Sequence, residues 1–208
     1  MRNRRILVSA IFLLAVFVSA TLGISDSEVQ RLGRVMEWKP GQVIADVGAG
    51  EGEIGFAAAE KVGLSGKIYL TELDVKKLDN LKMETGRRKL SNVVVLAAAE
   101  KETNLPDNCC DAIVLRRVYH HLTAPLEMDA SLFRSLKPGG KLAVIDFPPR
   151  KSLSESDPVK GVPSNRGGHG IPKKILVSEL ISAGFVAAKT IDDWPEDNYL
   201  LIFRKPGK

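Results

Sequence analysis

The chain has 208 residues, 30 Lys and Arg against 25 Asp and Glu, and a formal charge of +5. It is 44% hydrophobic, which is enough for a core and excludes global disorder, and its length fits one ordinary domain. Two cysteines exclude a disulfide scaffold, and three histidines leave little for a His/Cys metal site.

The positive charge is unevenly placed. Residues 1–23 hold Arg2, Arg4 and Arg5 and no acid; without them 27 basic residues face 25 acidic ones. So nearly neutral a body carries no electrostatic footprint for nucleic acid. The three arginines precede an apolar run from Ile6 to Leu22, broken only by Ser9, Ser19 and Thr21. A basic start, an apolar stretch and small residues at its end describe a secretory signal, cleavable after Ala20 or Gly23. The run also approaches the ~20 residues of a spanning helix, so an uncleaved anchor is the alternative. Either places the body across the membrane from the arginines. The pattern predicts a signal peptide or membrane anchor in residues 1–23 and one domain in residues 24–208, exported or membrane-anchored.

Beyond that segment, helix-like stretches alternate with strand-like apolar runs. Helices are expected over 26–38, 54–62, 75–90 and 125–136, and strands over 43–47, 67–71, 93–97, 112–115 and 141–147. Continuous β-branched runs fit strands buried on both faces, and the alternation predicts a doubly wound, mostly parallel α/β sandwich. Residues 148–170 form a long stretch rich in Pro, Gly and Ser, of the kind that is usually functional or disordered. A helix over 172–183 follows, with Pro at its start and Gly184 at its end. The last two strands, 186–191 and 199–204, are joined too closely for a crossover and form an antiparallel hairpin.

The first strand ends in Asp46-Val47-Gly48-Ala49-Gly50-Glu51-Gly52, and a helix opens just beyond. Glycines there let the chain turn tightly and let a ligand touch backbone, at the strand end where open α/β sheets bind ligands. Two registers compete. Gly50-x-Gly52-x-x-Gly55 with Glu72 twenty residues on is formally a dinucleotide fingerprint. Asp46-x-Gly48-x-Gly50-x-Gly52 instead places an acid ahead of the glycines, which suits a cationic ammonium, and Glu51 and Glu53 would repel pyrophosphate.

Further landmarks recur in order. Leu70-Thr71-Glu72-Leu73-Asp74 closes the second strand and Ala99-Glu100 follows the third. Tyr119-His120-His121-Leu122 follows the fourth, and Lys137-Pro138-Gly139-Gly140 leads into the strand that ends in Asp146-Phe147. Together they resemble the class I S-adenosylmethionine-dependent methyltransferases, over about residues 30–206. The chain is most similar to the small single-domain members with an N-terminal signal. The resemblance implies a Rossmann-like, seven-stranded sheet with S-adenosylmethionine as cofactor. It implies that Gly48, Gly50 and Gly52 wrap the methionine part, that Asp46 lies near its ammonium, and that Glu72 accepts from the ribose hydroxyls. Glu100 stands one position later than the family's adenine-reading acid. The end of strand four, at Leu115, Arg116 and Arg117, is expected at the sulfonium and acceptor.

Attack on a sulfonium methyl has an excellent leaving group, so catalysis is mostly positioning and exclusion of water. A general base is needed only for a protonated acceptor. His120, Tyr119, His121 and His169 are candidates, with Asp146 for acceptor contact or support; the catalytic assignment falls on His120, Tyr119 and Asp146. His121 also reads as a core histidine and His169 as a solvated loop residue. Arg116 and Arg117 fit either attraction of an anionic acceptor or pairing with surface acids. The chain lacks the Asp/Asn-Pro-Pro-Tyr/Phe of nucleic-acid amino methylases after strand four and the spaced acids of metal-dependent O-methylases. The expected acceptor is a small molecule, no nucleic acid or metal is expected, and the membrane is met only through residues 1–23. An NAD-dependent oxidoreductase and a non-catalytic extracytoplasmic cofactor-binding protein are the alternatives. No tyrosine is followed four residues on by lysine, as the first would require.

Overall fold

The protein is described here by a computed structural model covering residues 26–150 and 160–207. The segment read as a signal or anchor lies outside the described residues. Among the described residues, no helix is long and apolar enough to cross a membrane.

The elements follow in order α1 (Asp26–Met36), β1 (Val43–Val47), α2 (Glu53–Val62), β2 (Lys67–Glu72), α3 (Val75–Arg87), β3 (Val93–Ala97) and β4 (Cys110–Arg116). After a single 3-10 turn (Tyr119–His121) come α4 (Pro125–Ser135), β5 (Leu136–Asp146), α5 (Lys173–Ser182), β6 (Val186–Trp194) and β7 (Asn198–Arg204). One seven-stranded sheet has the order β3-β2-β1-β4-β5-β7-β6. β7 runs antiparallel to both β5 and β6, and the other neighbouring pairs are parallel. The doubly wound fold with its C-terminal hairpin is therefore as expected.

Side-chain alternation along the strands builds two core layers. Ile44, Ala112, Val114, Ala143 and Ile145 meet Leu32, Met36, Phe56 and Leu81 from α1 to α3. Ala45, Val47, Ile113, Leu115, Leu142 and Val144 meet Leu132, Leu176 and Leu180 from α4 and α5. The chain changes faces between β1 and β4, which pair through Ile44↔Ala112 to Val47↔Leu115. That is the switch point, and its carboxyl side is open to a ligand. Gly55 lets α2 lie close on β2: a Cβ there would come 2.0 Å from Leu70 Cδ2.

Some boundaries differ from expectation for identifiable reasons. β5 starts at Leu136 rather than 141, because Cys110 pairs with Leu136 before the register shifts and Ala112 pairs with Lys141. Lys137 to Gly140, expected to lead into the strand, thus belong to it, with the Gly139 N–H on the Lys205 carbonyl. β6 runs on to Trp194, which pairs with Asn198, so the hairpin turn is only residues 195–197. The described part of 148–170 is ordered by an antiparallel bridge between Arg150 and His169 and by a 3-10 turn at Ser164–Arg166.

Candidate active site

The loop after β1 is fastened to the end of β2. The Gly48 and Ala49 N–H groups both donate to the Thr71 carbonyl, at 2.9 and 3.0 Å. The buried Glu72 carboxylate then accepts from three backbone groups: Gly50 N–H on Oε2 (2.9 Å), and Leu73 and Asp74 N–H on Oε1 (2.8 and 3.1 Å). Gly50 has φ +56° with open space where a Cβ would project, so a ligand can lie directly on its backbone. Gly52, at φ +82°, faces the other way: a Cβ would meet Phe56 at 2.5 Å and Leu81 at 2.8 Å.

Asp46 ends the α1–α3 face of β1 and is nearly fully buried. Its Oδ2 accepts the Gly55 N–H at 3.0 Å. Burial pushes its carboxyl up to about 7; the Gly55 bond opposes this, and the Glu72 charge adds to it.

These groups line a cleft of about 1110 Å³. It runs from residues 46–51 past Glu72 to Ala98, Ala99 and Glu100, and across Arg116, Arg117 and Val118 to His121, Leu122, Thr123 and Met128. Asp46, Gly48, Gly50, Glu72 and Glu100 thus converge as expected. Glu100 is exposed on the lip, in a turn closed by Ala99 and Glu102. The volume suits a cofactor-sized ligand with room beside it. The open face of Gly50 and a carboxylate already preorganised by three N–H groups fit a ribose-bearing, cationic cofactor.

The other expectations need correction. The Leu115 side chain points into the α4–α5 core and is fully buried, so Arg116 to Val118 form the cleft wall instead. Gly52 shapes the loop from behind and does not line the cleft. Arg116 and Arg117 are committed to acids. Arg116 forms a two-pronged pair with Glu28 (both 3.1 Å) and also meets Glu196 (3.0 Å), while Arg117 meets Glu196 (2.9 Å) and Asn198 (3.1 Å). Arg117 sits in the left-handed region (φ 55°), a strain of about 1–2 kcal/mol for a side-chain-bearing residue.

The three expected catalytic residues do not line the cleft either. Tyr119 is fully buried; its hydroxyl donates to Asp129 (2.8 Å) and lies 3.1 Å from a Glu179 carboxylate oxygen. Glu179 in turn pairs with buried Arg166 at 2.7 Å. Burial raises the Tyr119 hydroxyl far above its ordinary value and the Asp129 carboxyl to about 7. This is a structural network that pins the 3-10 turn and the 164–166 segment to α4 and α5. Asp146 is also fully buried; it accepts His120 N–H (3.1 Å) and Phe147 N–H (2.9 Å), and His120 Nδ1 lies 2.8 Å away. His120 Nε2 faces His169 Nε2 at 3.1 Å. His121, read also as a core residue, is the histidine that lines the cleft, and His169 is half-buried rather than solvated. No local pattern announces the His120–His169 contact, which spans 49 positions. The three histidines, too few by composition to suggest a metal site, are brought together by the fold, one ring nitrogen of each within 4.8 Å of the others.

Comparison with known proteins identifies the domain and its fold. A family model described as a methyltransferase domain matches residues 39–181. A ubiquinone/menaquinone biosynthesis C-methyltransferase from Vibrio cholerae is 33% identical over 115 residues, 52% of this chain and 42% of that protein. The chain spans about half the length of the curated relatives it matches. A SAM-dependent methyltransferase from Aquifex aeolicus superposes with a TM-score of 0.71 at 24% identity, over 86% of this chain and 89% of that one. A structure described as the [4+2]-cyclase SpnF superposes with a TM-score of 0.69 at 18% identity, over 86% and 81%. The fold alone therefore does not name a reaction; the chemistry is set by the residues of the site.

If Tyr119 is structural, Tyr119→Phe leaves the affinity for S-adenosylmethionine within about twofold and destabilises the protein by about 1–3 kcal/mol, the cost of unsatisfied buried acceptors. Calorimetric binding and denaturant unfolding measure both. Loss of binding without loss of stability would return Tyr119 to the site.

Proposed function

This chain belongs to the methyltransferase-domain family, and on that footing we propose that it transfers a methyl group from S-adenosylmethionine to a small-molecule acceptor in the cleft. The observation that carries the reading is the Glu72 carboxylate, held by Gly50, Leu73 and Asp74 N–H groups at the lip of the glycine loop. So held, it keeps one of its about four acceptor sites, on Oε2, for a ribose hydroxyl at a fixed position. Gly50 supplies open backbone beside it, and Asp46 sets a buried carboxyl where an ammonium would neutralise it. Glu100, Ala98 and Ala99 border the end of the cleft beyond Glu72.

The cofactor supplies an activated methyl on a good leaving group. The chain's residues do the rest by orientation and exclusion of water. Arg116 and Arg117, paired as they are, serve as a rigid wall rather than as an anion trap. His121 is the imidazole on that wall, where His120 or Tyr119 was expected. Names of the curated relatives speak of C-methylation in quinone biosynthesis; over half their length this supports a small organic acceptor and no finer class. Glu51 and Glu53 near the loop weigh against the pyrophosphate of a nicotinamide cofactor. The Asp46–Glu72 arrangement weighs against a scaffold without a ligand. Arg2, Arg4, Arg5 and the apolar run to Leu22 support export or anchoring by residues 1–23.

Three outcomes test this reading. Glu72→Gln puts an amide against three N–H donors and weakens S-adenosylmethionine binding by about 10–100-fold, the range of hydrogen bonds to charged groups; calorimetric affinities equal to wild type would remove the premise. Asp46, with its pKa raised to about 7, holds a proton below neutrality that a bound ammonium must expel. Affinity therefore climbs by up to about tenfold per pH unit below 7 and levels off above it. Asp46→Asn flattens that slope, and a slope shared by both proteins would refute the role. In a cell fraction across the membrane, N-terminal sequencing finds a start at Thr21 or Ile24, or an uncleaved chain in membranes; intact soluble cytosolic protein would contradict the localisation.

A further inference from the structure

The chain's three histidines, distant in sequence by up to 49 positions, bring one ring nitrogen each within 4.8 Å of the others. Ring centroids lie 3.9 Å apart for His120 and His121, 4.9 Å for His120 and His169, and 5.7 Å for His121 and His169. Methyl transfer from a sulfonium needs at most one of them, and gathering three imidazoles, one buried and two half-buried, has no packing advantage over apolar residues. From this geometry we infer that His120, His121 and His169 form a binding site for a divalent transition metal of the zinc type.

The arrangement of His120 argues for it. Its Nδ1 lies 2.8 Å from the fully buried Asp146 carboxylate, which also accepts His120 N–H and is itself fixed by Phe147 N–H. A neutral imidazole held by a carboxylate at Nδ1 presents its Nε2 lone pair outward, which is how carboxylate–histidine–metal arrangements orient a ligand. That Nε2 lies 3.1 Å from His169 Nε2. Two nitrogens at about 2.0–2.1 Å from a tetrahedral zinc stand about 3.3 Å apart, so this pair is nearly at coordinating separation. His121 offers its ring nitrogen within 4.8 Å of the other two and closes the remaining gap by side-chain rotation. Phe147 packs against His120 and His169 at 4.7 and 5.1 Å and gives the cluster an apolar side.

Three histidines leave a fourth position on tetrahedral zinc for water or for an oxygen, nitrogen or sulfur atom of another molecule. His121 lines the cleft, so the site adjoins the cavity in which the acceptor is proposed to lie. His169 is bridged to Arg150 by N–H···O bonds of 2.8 and 3.1 Å, so metal binding would also tie that bridge to the sheet edge.

The test uses full-length protein without a histidine tag, stripped with a chelator and titrated with Co²⁺ and then Zn²⁺. One equivalent of Co²⁺ per chain is expected to give the visible bands of low-coordinate cobalt, to be displaced by Zn²⁺, and to raise the melting temperature. His169→Ala, on a surface segment, loses at least about tenfold in affinity. Asp146→Asn, which removes the carboxylate behind His120, loses about 10–100-fold. Circular dichroism of each variant separates lost ligation from lost fold, and His121→Ala repeats the test should Asp146→Asn unfold. Absence of the cobalt spectrum, or equal affinity in wild type and His169→Ala, overturns the inference. The titration needs neither cofactor nor acceptor, so its failure leaves the methyl-transfer reading standing.

Discussion

The cleft depends on one carboxylate. Glu72 ends β2 and takes N–H groups from two separate loops, Gly50 behind β1 and Leu73 with Asp74 ahead of α3. A buried acid that accepts three backbone donors is a strong clamp, since hydrogen bonds to a charged group are worth about twice neutral ones. The neighbouring Thr71 carbonyl holds the same loop through Gly48 and Ala49. Two adjacent residues of β2 thus fix the path of the chain from β1 to α2. Gly50 can stay open to a ligand because the loop needs no side chain of its own for support.

The opposite half of the cleft is organised by a second buried acid. Asp146 ends β5 and holds the 3-10 turn by His120 N–H and the start of the next segment by Phe147 N–H. Beneath it, Tyr119, Asp129, Glu179 and Arg166 form a buried polar network that anchors the 164–166 segment against α5. Arg166 is 1% exposed, a position a charged side chain holds only when paired. The long glycine- and proline-rich stretch is therefore tied at Arg166 and again at the Arg150–His169 bridge, and these two ties deliver His169 to His120.

How much of this was legible from sequence follows from how local each feature is. The central strands were, because runs such as 112–115 and 141–147 are apolar at every position and need burial on both faces. Position in the sheet was not: Val93 to Ala97 reads the same way yet forms the edge strand β3 and is half-buried. Asp46, Gly48, Gly50, Glu72 and Glu100 were legible because each sits at a strand end, whose direction the fold class determines. The residues after β4 were not. Arg117 in the left-handed region reverses the chain, and the rotation of one short turn decides which side chains face out. It turns Tyr119 into the core and His121 to the cleft, with His120 between them. Leu115 was misplaced by a single position for the same reason, since successive strand residues face opposite layers.

The strand ends share an electrostatic logic. Asp46, Glu72 and Asp146 close β1, β2 and β5 at one edge of the sheet, where following loops and helix N-termini present unpaired backbone N–H groups. Glu72 collects three such donors, and Asp146 two with an imidazole besides. Asp46 has one, from Gly55 in the first turn of α2, and its burial is as deep as theirs. That shortfall is why burial dominates at Asp46 and lifts its carboxyl to about 7. A carboxyl poised this way destabilises the fold as pH rises above its unfolded value towards 7, because the folded state binds the proton more tightly than the unfolded one. Such a cost is retained where a charge from outside the chain completes the compensation. In the proposed reaction that charge is the cofactor's ammonium, so the weakest-held of the three acids is the one whose missing partner is the ligand.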